Sequence, residues 1–169
     1  INPYIRVAMR SILRAGKVIK RRIIYDYELI YIDAGEFIFN YNGVDYLCQK
    51  GDFIFIRPNI PHSFSGIKRD LSQPHIHFDV YYTPKSEERT ISYQTRETMS
   101  EYELSLISED VFKDVAIPCV FRLQDMSEFK SVFFDIIDIF QTKSDNFELA
   151  YKAKMLQLLQ IILTQFDKK

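Results

Sequence analysis

The sequence predicts a mainly β chain: a barrel of short antiparallel strands followed by an antiparallel pair of amphipathic helices. Three observations predict it. Apolar and aromatic runs are punctuated by turn residues between residues 4 and 80, an Asn42-Gly43 dipeptide separates two alternating segments, and the hydrophobic period changes after Leu123.

The opening segment alternates Ile5, Val7 and Met9 against Arg6, Ala8 and Arg10, which reads as a strand. Arg6, Arg10 and Arg14 also recur every fourth residue, so a basic amphipathic helix competes with the strand until Gly16 interrupts it. Strands follow at residues 27–32 and 37–41. Asn42-Gly43 suits a two-residue type I′ turn, because both residues tolerate positive φ, and it joins residues 37–41 to 44–48 as a hairpin. Gly51-Asp52 marks a further turn and residues 53–56 a strand. Pro58 and Pro61 exclude a central strand or helix across residues 57–61, and strands resume at 62–65 and 75–82. Residues 83–103 are polar and weakly patterned, a loop with a short helix after Ser100. A short strand fits residues 120–123.

Beyond it Asp125 with Glu128 has the form of a capping box, and Phe129, Val132, Phe133, Ile136, Ile137 and Phe140 follow at helical spacing. Asp145 with Glu148 opens a second helix in the same way. On it Tyr151, Met155, Leu158, Leu159, Ile162 and Phe166 make one stripe and Leu149, Ala153, Leu156 and Leu163 a neighbouring one. The combined face is wider than one packing surface needs. The expected division is a barrel over residues 1–122 and a dimerising tail over 123–169, with Leu149, Ala153, Leu156 and Leu163 in a homodimer interface. A helix wedged deeply into its own domain is the competing explanation.

Composition bounds the function. With 169 residues, 47% of them hydrophobic, the chain can fill one core. Its formal net charge of -1 supplies no positive field for a phosphate backbone, so any DNA binding is expected to lie in another domain. Only Cys48 and Cys119 are present, and no apolar run approaches the roughly 20 residues of a membrane span. No membrane partner is expected, and a cytoplasmic location is. The start at Ile1 rather than Met, and the end just after an amphipathic helix, read as a piece of something longer.

The run from Gly51 through Pro58 and Pro61 to His62 resembles the second motif of the cupins, and Glu28 seven residues before Gly35 resembles half of the first. The two histidines that should precede Glu28 are replaced around Arg21, Arg22, Ile23 and Ile24. The resemblance therefore implies a dismantled metal site, with no metal or cofactor expected. Residues 22–35, the Gly-Asp motif, and Pro74-His75-Ile76-His77-Phe78-Asp79, followed by two helices, are together similar to the N-terminal domain of AraC-type regulators. That resemblance implies a small effector, often a sugar, held in the barrel, and pairing with a twin through the tail. It also implies a C-terminal helix-turn-helix domain, outside this chain, that touches DNA.

By the same resemblance the effector site comprises Arg22, Glu28, His62, Phe64, His75 and His77. A neutral His62 can exchange hydrogen bonds with a hydroxyl, Phe64 can cover an apolar sugar face, and Arg22, with Arg21 as the register alternative, can present a planar fork. Each has a purely structural alternative: a buried histidine, a core phenylalanine, or an Arg22 salt bridge to Asp26 or Glu28. An inward Glu28 needs a partner, for which Arg57 is a candidate. His75 and His77 share one strand face, and with His62 they could bind zinc, although such spacing is equally compatible with two structural histidines. The excess of Arg and Lys before Asp26 reads as solvated strand edges. The reading is thus a binding domain and not an enzyme, with a small metal-dependent cupin enzyme, of the sugar isomerase or dioxygenase type, as the rival.

Overall fold

The computed structural model describes residues 1–168; Lys169, the last residue of the expected tail, lies outside the described residues. Eleven strands are laid down in chain order: β1 (Tyr4–Met9), β2 (Ile12–Leu13), β3 (Ile19–Arg22), β4 (Tyr27–Tyr31), β5 (Glu36–Tyr41), β6 (Val44–Gln49), β7 (Phe53–Ile56), β8 (His62–Ser65), β9 (Leu71–Ser72), β10 (His75–Asp79) and β11 (Val120–Phe121). Three α-helices, α1 (Glu101–Ser105), α2 (Met126–Thr142) and α3 (Phe147–Phe166), and two short 3-10 helices, Pro84–Glu87 and Arg96–Thr98, make up the other regular elements of the described residues. The strands form a five-stranded sheet, β1-β10-β4-β7-β11, facing a four-stranded sheet, β3-β8-β5-β6, with β2-β9 as a small third ribbon. The strands pair antiparallel throughout. The expected barrel with its antiparallel helix pair is the architecture found.

Local chemistry explains the elements. Tyr41 pairs with Val44 across Asn42 and Gly43, whose φ values of 52° and 86° are those of a type I′ turn. Gly35 has φ of 92°, and a Cβ there would stand 2.9 Å from the Asp70 carbonyl oxygen, so this turn accepts only glycine. The opening segment is a strand and not a helix, but its alternation is broken by a register shift between Ile5 and Val7. Ile5 and Ala8 consequently pack towards the helices, while Val7 and Met9 face the barrel interior.

Two apolar clusters divide the interior. One lies between the sheets and includes Ile30, Phe37, Phe39, Ile54, Ile56 and Phe64. The other lies on the far face of the five-stranded sheet, where Tyr27, Leu29, Phe53, Ile76 and Phe78 meet Phe129, Phe133 and Ile136 of α2 and Met155, Leu158 and Ile162 of α3. Barrel and helix pair therefore share a core. Phe53 receives the edges of Phe129 and Phe133 at centroid separations of 4.7 and 5.3 Å.

Helix ends depart from expectation in two places. Asp125 caps α2 by accepting from the Ser127 amide, whereas Glu128 accepts from Gln157 of α3 and ties the helices together. The second helix starts one residue later than expected. Asn146, in the left-handed region at φ of 62°, precedes Phe147, and no side chain caps that end, so Asp145 does not open α3. Of the second stripe, Leu149 is 72% and Leu156 45% exposed, Ala153 is exposed, and Leu163 is half-buried against the core.

The stretch from Thr83 onward, mostly illegible in sequence, wraps the barrel mouth. The short α1 follows Ser100 as expected, and Ser100 with Glu103 forms a capping box on it. The rest is held by long-range hydrogen bonds, among them the Ile23 amide to the Gln94 carbonyl and the Ser108 amide to the Tyr25 carbonyl.

Candidate functional site

Register builds the site. In the β4–β10 ladder Glu28 stands opposite His77, with Ile30 opposite His75, so Glu28, His75 and His77 share the inward face. Arg22 stands opposite His62 between β3 and β8. Together with Phe64 and with Val7 and Met9 of β1, the residues Arg22, Glu28, His75 and His77 line a cavity of about 310 Å³ between the sheets. Ile91 and Tyr93 of the wrapping segment close one side. A larger hollow of about 530 Å³ beside Gly35, Lys50, Lys68 and Arg69 is an open surface feature that gathers no buried polar group. The smaller, better furnished cavity is the candidate.

His62 is fully buried behind Arg22. Its Nδ1 donates to the Ile60 carbonyl at 2.9 Å, which leaves Nε2 to accept from Arg22 Nε at 3.2 Å. Burial, reinforced by the Arg22 charge, depresses its pKa to about 4 and keeps the imidazole neutral. His77 is the opposite case. Burial alone would lower its pKa, but Glu28 at 3.2 Å and Asp26 at 3.2 Å more than offset this and raise it. Burial works to raise the Glu28 pKa, yet His77, then His75 and Arg22, hold it well below the carboxylate range. Glu28 Oε1 nevertheless has no hydrogen-bond partner among the described residues; its nearest cation is Arg22 Nη2 at 3.6 Å. His75, half-buried, places Nδ1 3.0 Å from the Gln73 carbonyl and 3.2 Å from Ser11 Oγ, and burial lowers its pKa.

A second layer holds these groups in place. Asp26 accepts from Arg6 at 2.5 Å, Arg6 donates to Asp79 at 3.1 Å, and Arg89 donates to Asp79 at 2.9 Å. Arg89 and Arg6 also donate to the carbonyls of Leu106 and Ser86, so the chain of charges beneath the cavity reaches into the wrapping segment. Arg22 donates to the Ser92 carbonyl at 3.2 Å and lies over the Tyr93 ring at 4.9 Å.

Of the six residues singled out in sequence, five line one cavity and the sixth, His62, supports Arg22 from behind. Arg21, the alternative to Arg22, is exposed. Arg57 is not the partner of Glu28. It binds Asp110 at 3.0 Å and the carbonyls of Phe112 and Val115, because β7 ends beside that loop. Arg6 is likewise no solvated edge cation but part of the buried network, while Arg10 and Arg14 pair at the surface with Asp138 and Asp70. Sequence reasoning missed Ser11, Gln73 and Tyr93, and it named Asp26 only as a salt-bridge alternative for Arg22, whereas Asp26 pairs with Arg6 and His77. The Asp26-to-Glu28 spacing of two was the one available signal, since it puts both carboxylates where one imidazole can bridge them.

His62 stands apart from the cluster with metal-ligand chemistry. One ligand atom each from Glu28, His75 and His77 lies within 4.8 Å of the others. None of the helices among the described residues is long and apolar enough to cross a membrane.

Comparison with known proteins adds the following. The chain is similar to a predicted oxalate decarboxylase from Thermotoga maritima, at 26% identity and TM-score 0.41, over 45% of this chain and 68% of that one. It is similar to an RmlC-like cupin from Shewanella frigidimarina, at 19% identity and TM-score 0.40, over 43% and 65% of the two chains. A salicylate 1,2-dioxygenase from Pseudoaminobacter salicylatoxidans matches at 17% identity and TM-score 0.37, over 41% of this chain and 24% of that one. No curated protein matches the sequence. Residues 14–159, covering most of the barrel and most of the helix pair, match the family described as AraC-like ligand binding domain, and the chain belongs to that family.

Proposed function

We propose that this chain is the effector-sensing and dimerising part of an AraC-type transcription regulator, binding a small polar molecule in the cavity and acting through a DNA-binding domain elsewhere in the regulator. The observation that carries this reading is the family match over residues 14–159 combined with a cavity into which Arg22, Glu28, His75 and His77 all project. Fixed donors and acceptors in a cavity that Phe64 also lines suit a sugar or a similar polyhydroxylated metabolite. Residues 1–122 serve as the sensor and residues 123–169 as the dimerising tail. The exposed Leu149 and Leu156, with Ala153 and half-buried Leu163, are the self-complementary surface that a two-fold contact would cover. The sensor works in the cytoplasm, alongside its DNA. A bound effector shifts the regulator only by favouring one arrangement of the pair over the other.

A panel of sugars, sugar acids and other polar metabolites, screened by thermal shift, tests the sensor. A true effector at a hundredfold its Kd should stabilise the fold by about 2.7 kcal/mol, an effect lost in Arg22→Ala, and should be recovered unchanged. The rival reading, a small metal-dependent enzyme, is favoured by the Glu28, His75 and His77 cluster, and conversion of the bound compound would establish it. Sedimentation at micromolar concentration tests the tail: the wild type should be a dimer and Leu156→Glu with Leu163→Glu a folded monomer. A monomeric wild type, or a dimeric double variant, would refute the interface.

A further inference from the structure

We propose that Glu28, His75 and His77 bind a divalent transition-metal ion of the zinc, cobalt or nickel type at the floor of the cavity, as a two-histidine, one-carboxylate site with its remaining positions open. Three independent features of the structure converge on it. The cross-strand pairing of Glu28 with His77, and the spacing of two between His75 and His77, bring one ligand atom of each within 4.8 Å of the others. Ligands about 2.0–2.2 Å from an ion stand roughly 3–3.5 Å apart, so closure requires movements of about an ångström. The Glu28–His77 contact, at 3.2 Å, is already there.

The histidines also carry the outer hydrogen bonds that metal-bound imidazoles carry. His77 Nδ1 meets the Asp26 carboxylate, and His75 Nδ1 meets the Gln73 carbonyl, so in both rings Nε2 is the nitrogen left to ligate. Asp26 is itself anchored by Arg6. The third feature is Glu28 Oε1, a buried carboxylate oxygen on the cavity wall with no hydrogen-bond partner among the described residues. The Glu28–His77 contact occupies Oε2, and Oε1 has only the Arg22 ion pair at 3.6 Å and no hydrogen bond, whereas an ion ligated by this carboxylate and both histidines would give all three side chains a common partner.

Arg22 is the charge that opposes a cation here, at 3.6 Å from Glu28. It is occupied by His62 Nε2, the Ser92 carbonyl and the Tyr93 ring, and it lines the same cavity. Arg22 and the open coordination positions together favour a ligand with an anionic or hydroxyl oxygen; this last step rests on the effector reading, while the ion site does not.

The full chain, stripped with EDTA and dialysed, is titrated with Zn²⁺ by calorimetry and with Co²⁺ by visible absorption. We expect one ion per chain, with His75→Ala and Glu28→Gln each weakening binding at least tenfold. Absence of stoichiometric binding by either ion, or affinity unchanged in both variants, overturns the site. His75 is half-buried at the cavity edge, so its variant keeps the test decisive if Glu28→Gln fails to fold. The metabolite panel repeated on stripped protein separates the two proposals: binders found there leave the sensor standing even when no ion binds.

Discussion

The two faces of the five-stranded sheet are chemically opposite. Along β4, Tyr27, Leu29 and Tyr31 face the helices while Glu28 and Ile30 face the barrel; along β10, Ile76 and Phe78 oppose His75 and His77. On the helix face, burial is its own reward, because apolar area leaves water and the aromatic edges interlock. On the barrel face every buried charge must be matched, and the Asp26, Arg6, Asp79 and Arg89 chain shows how much structure that matching consumes. The contrast teaches that burial does not by itself separate scaffold from site. What separates them is whether a side chain's partners are hydrocarbon or polar groups with capacity to spare.

Substitutions on the two faces should therefore fail differently. Phe133→Ala, on the helix face, should cost about 3–5 kcal/mol in chemical denaturation and leave any cavity ligand's affinity nearly unchanged. Asp26→Ala should cost about 3 kcal/mol, because Arg6 and His77, both largely buried, each lose one of two carboxylate partners and keep only Asp79 and Glu28, respectively, and it should also disturb ligand affinity. A fully stable Asp26→Ala protein would mean the charged face is not tightly matched.

Acid separates the faces further. The fold holds His62 at a pKa of about 4, against roughly 6.5 in an unfolded chain, with Arg22 facing it and Glu28 and His77 farther off. Between those values the unfolded chain takes up a proton that the fold refuses. The stability contributed by a neutral His62 is therefore present above about pH 6.5 and lost as pH falls toward 4, with a limiting slope of about 1.4 kcal/mol per pH unit. Urea midpoints at pH 7, 6 and 5 should converge between wild type and His62→Gln as the pH drops; parallel curves would contradict a neutral buried His62. The smallest stability effect belongs to His75→Ala, less than about 1 kcal/mol, since the side chain is half-buried and its bonds are to Gln73 and Ser11. Its effect on cavity ligands should be far larger, measured by calorimetry.

Much of this contrast was legible in the sequence. The Asn42-Gly43 hairpin, the Gly51-Asp52 turn and the strand after it, the Asp125 cap and the paired histidines on one strand face all rest on local rules, and local rules held. The shift between Ile5 and Val7 was not legible, because a bulge depends on the partner strand β10 and not on the alternation within β1. Nor was the pairing of Glu28 with His77, since no short turn links those strands to set their register. Asn146 in place of Asp145 at the start of α3 is a one-residue error of the kind that helix ends invite. The wrapping segment was opaque for a different reason. Its order comes from distant polar contacts, such as Arg22 on the Ser92 carbonyl and Arg89 on Asp79, which leave no periodicity in the segment itself.

The chain has three histidines, and all three lie at the cavity or directly behind it, so selective isotopic labelling of histidine reports on the charged face alone. The most direct test of the account is a pair of NMR titrations with a compound from the thermal-shift panel, one on histidine-labelled and one on methyl-labelled protein. The account predicts that the His75 and His77 ring resonances move in saturable fashion at the same concentration as the thermal stabilisation. A binder that shifts the methyls of Leu158 and Ile162 beneath the helices while leaving all three imidazoles in place would contradict it.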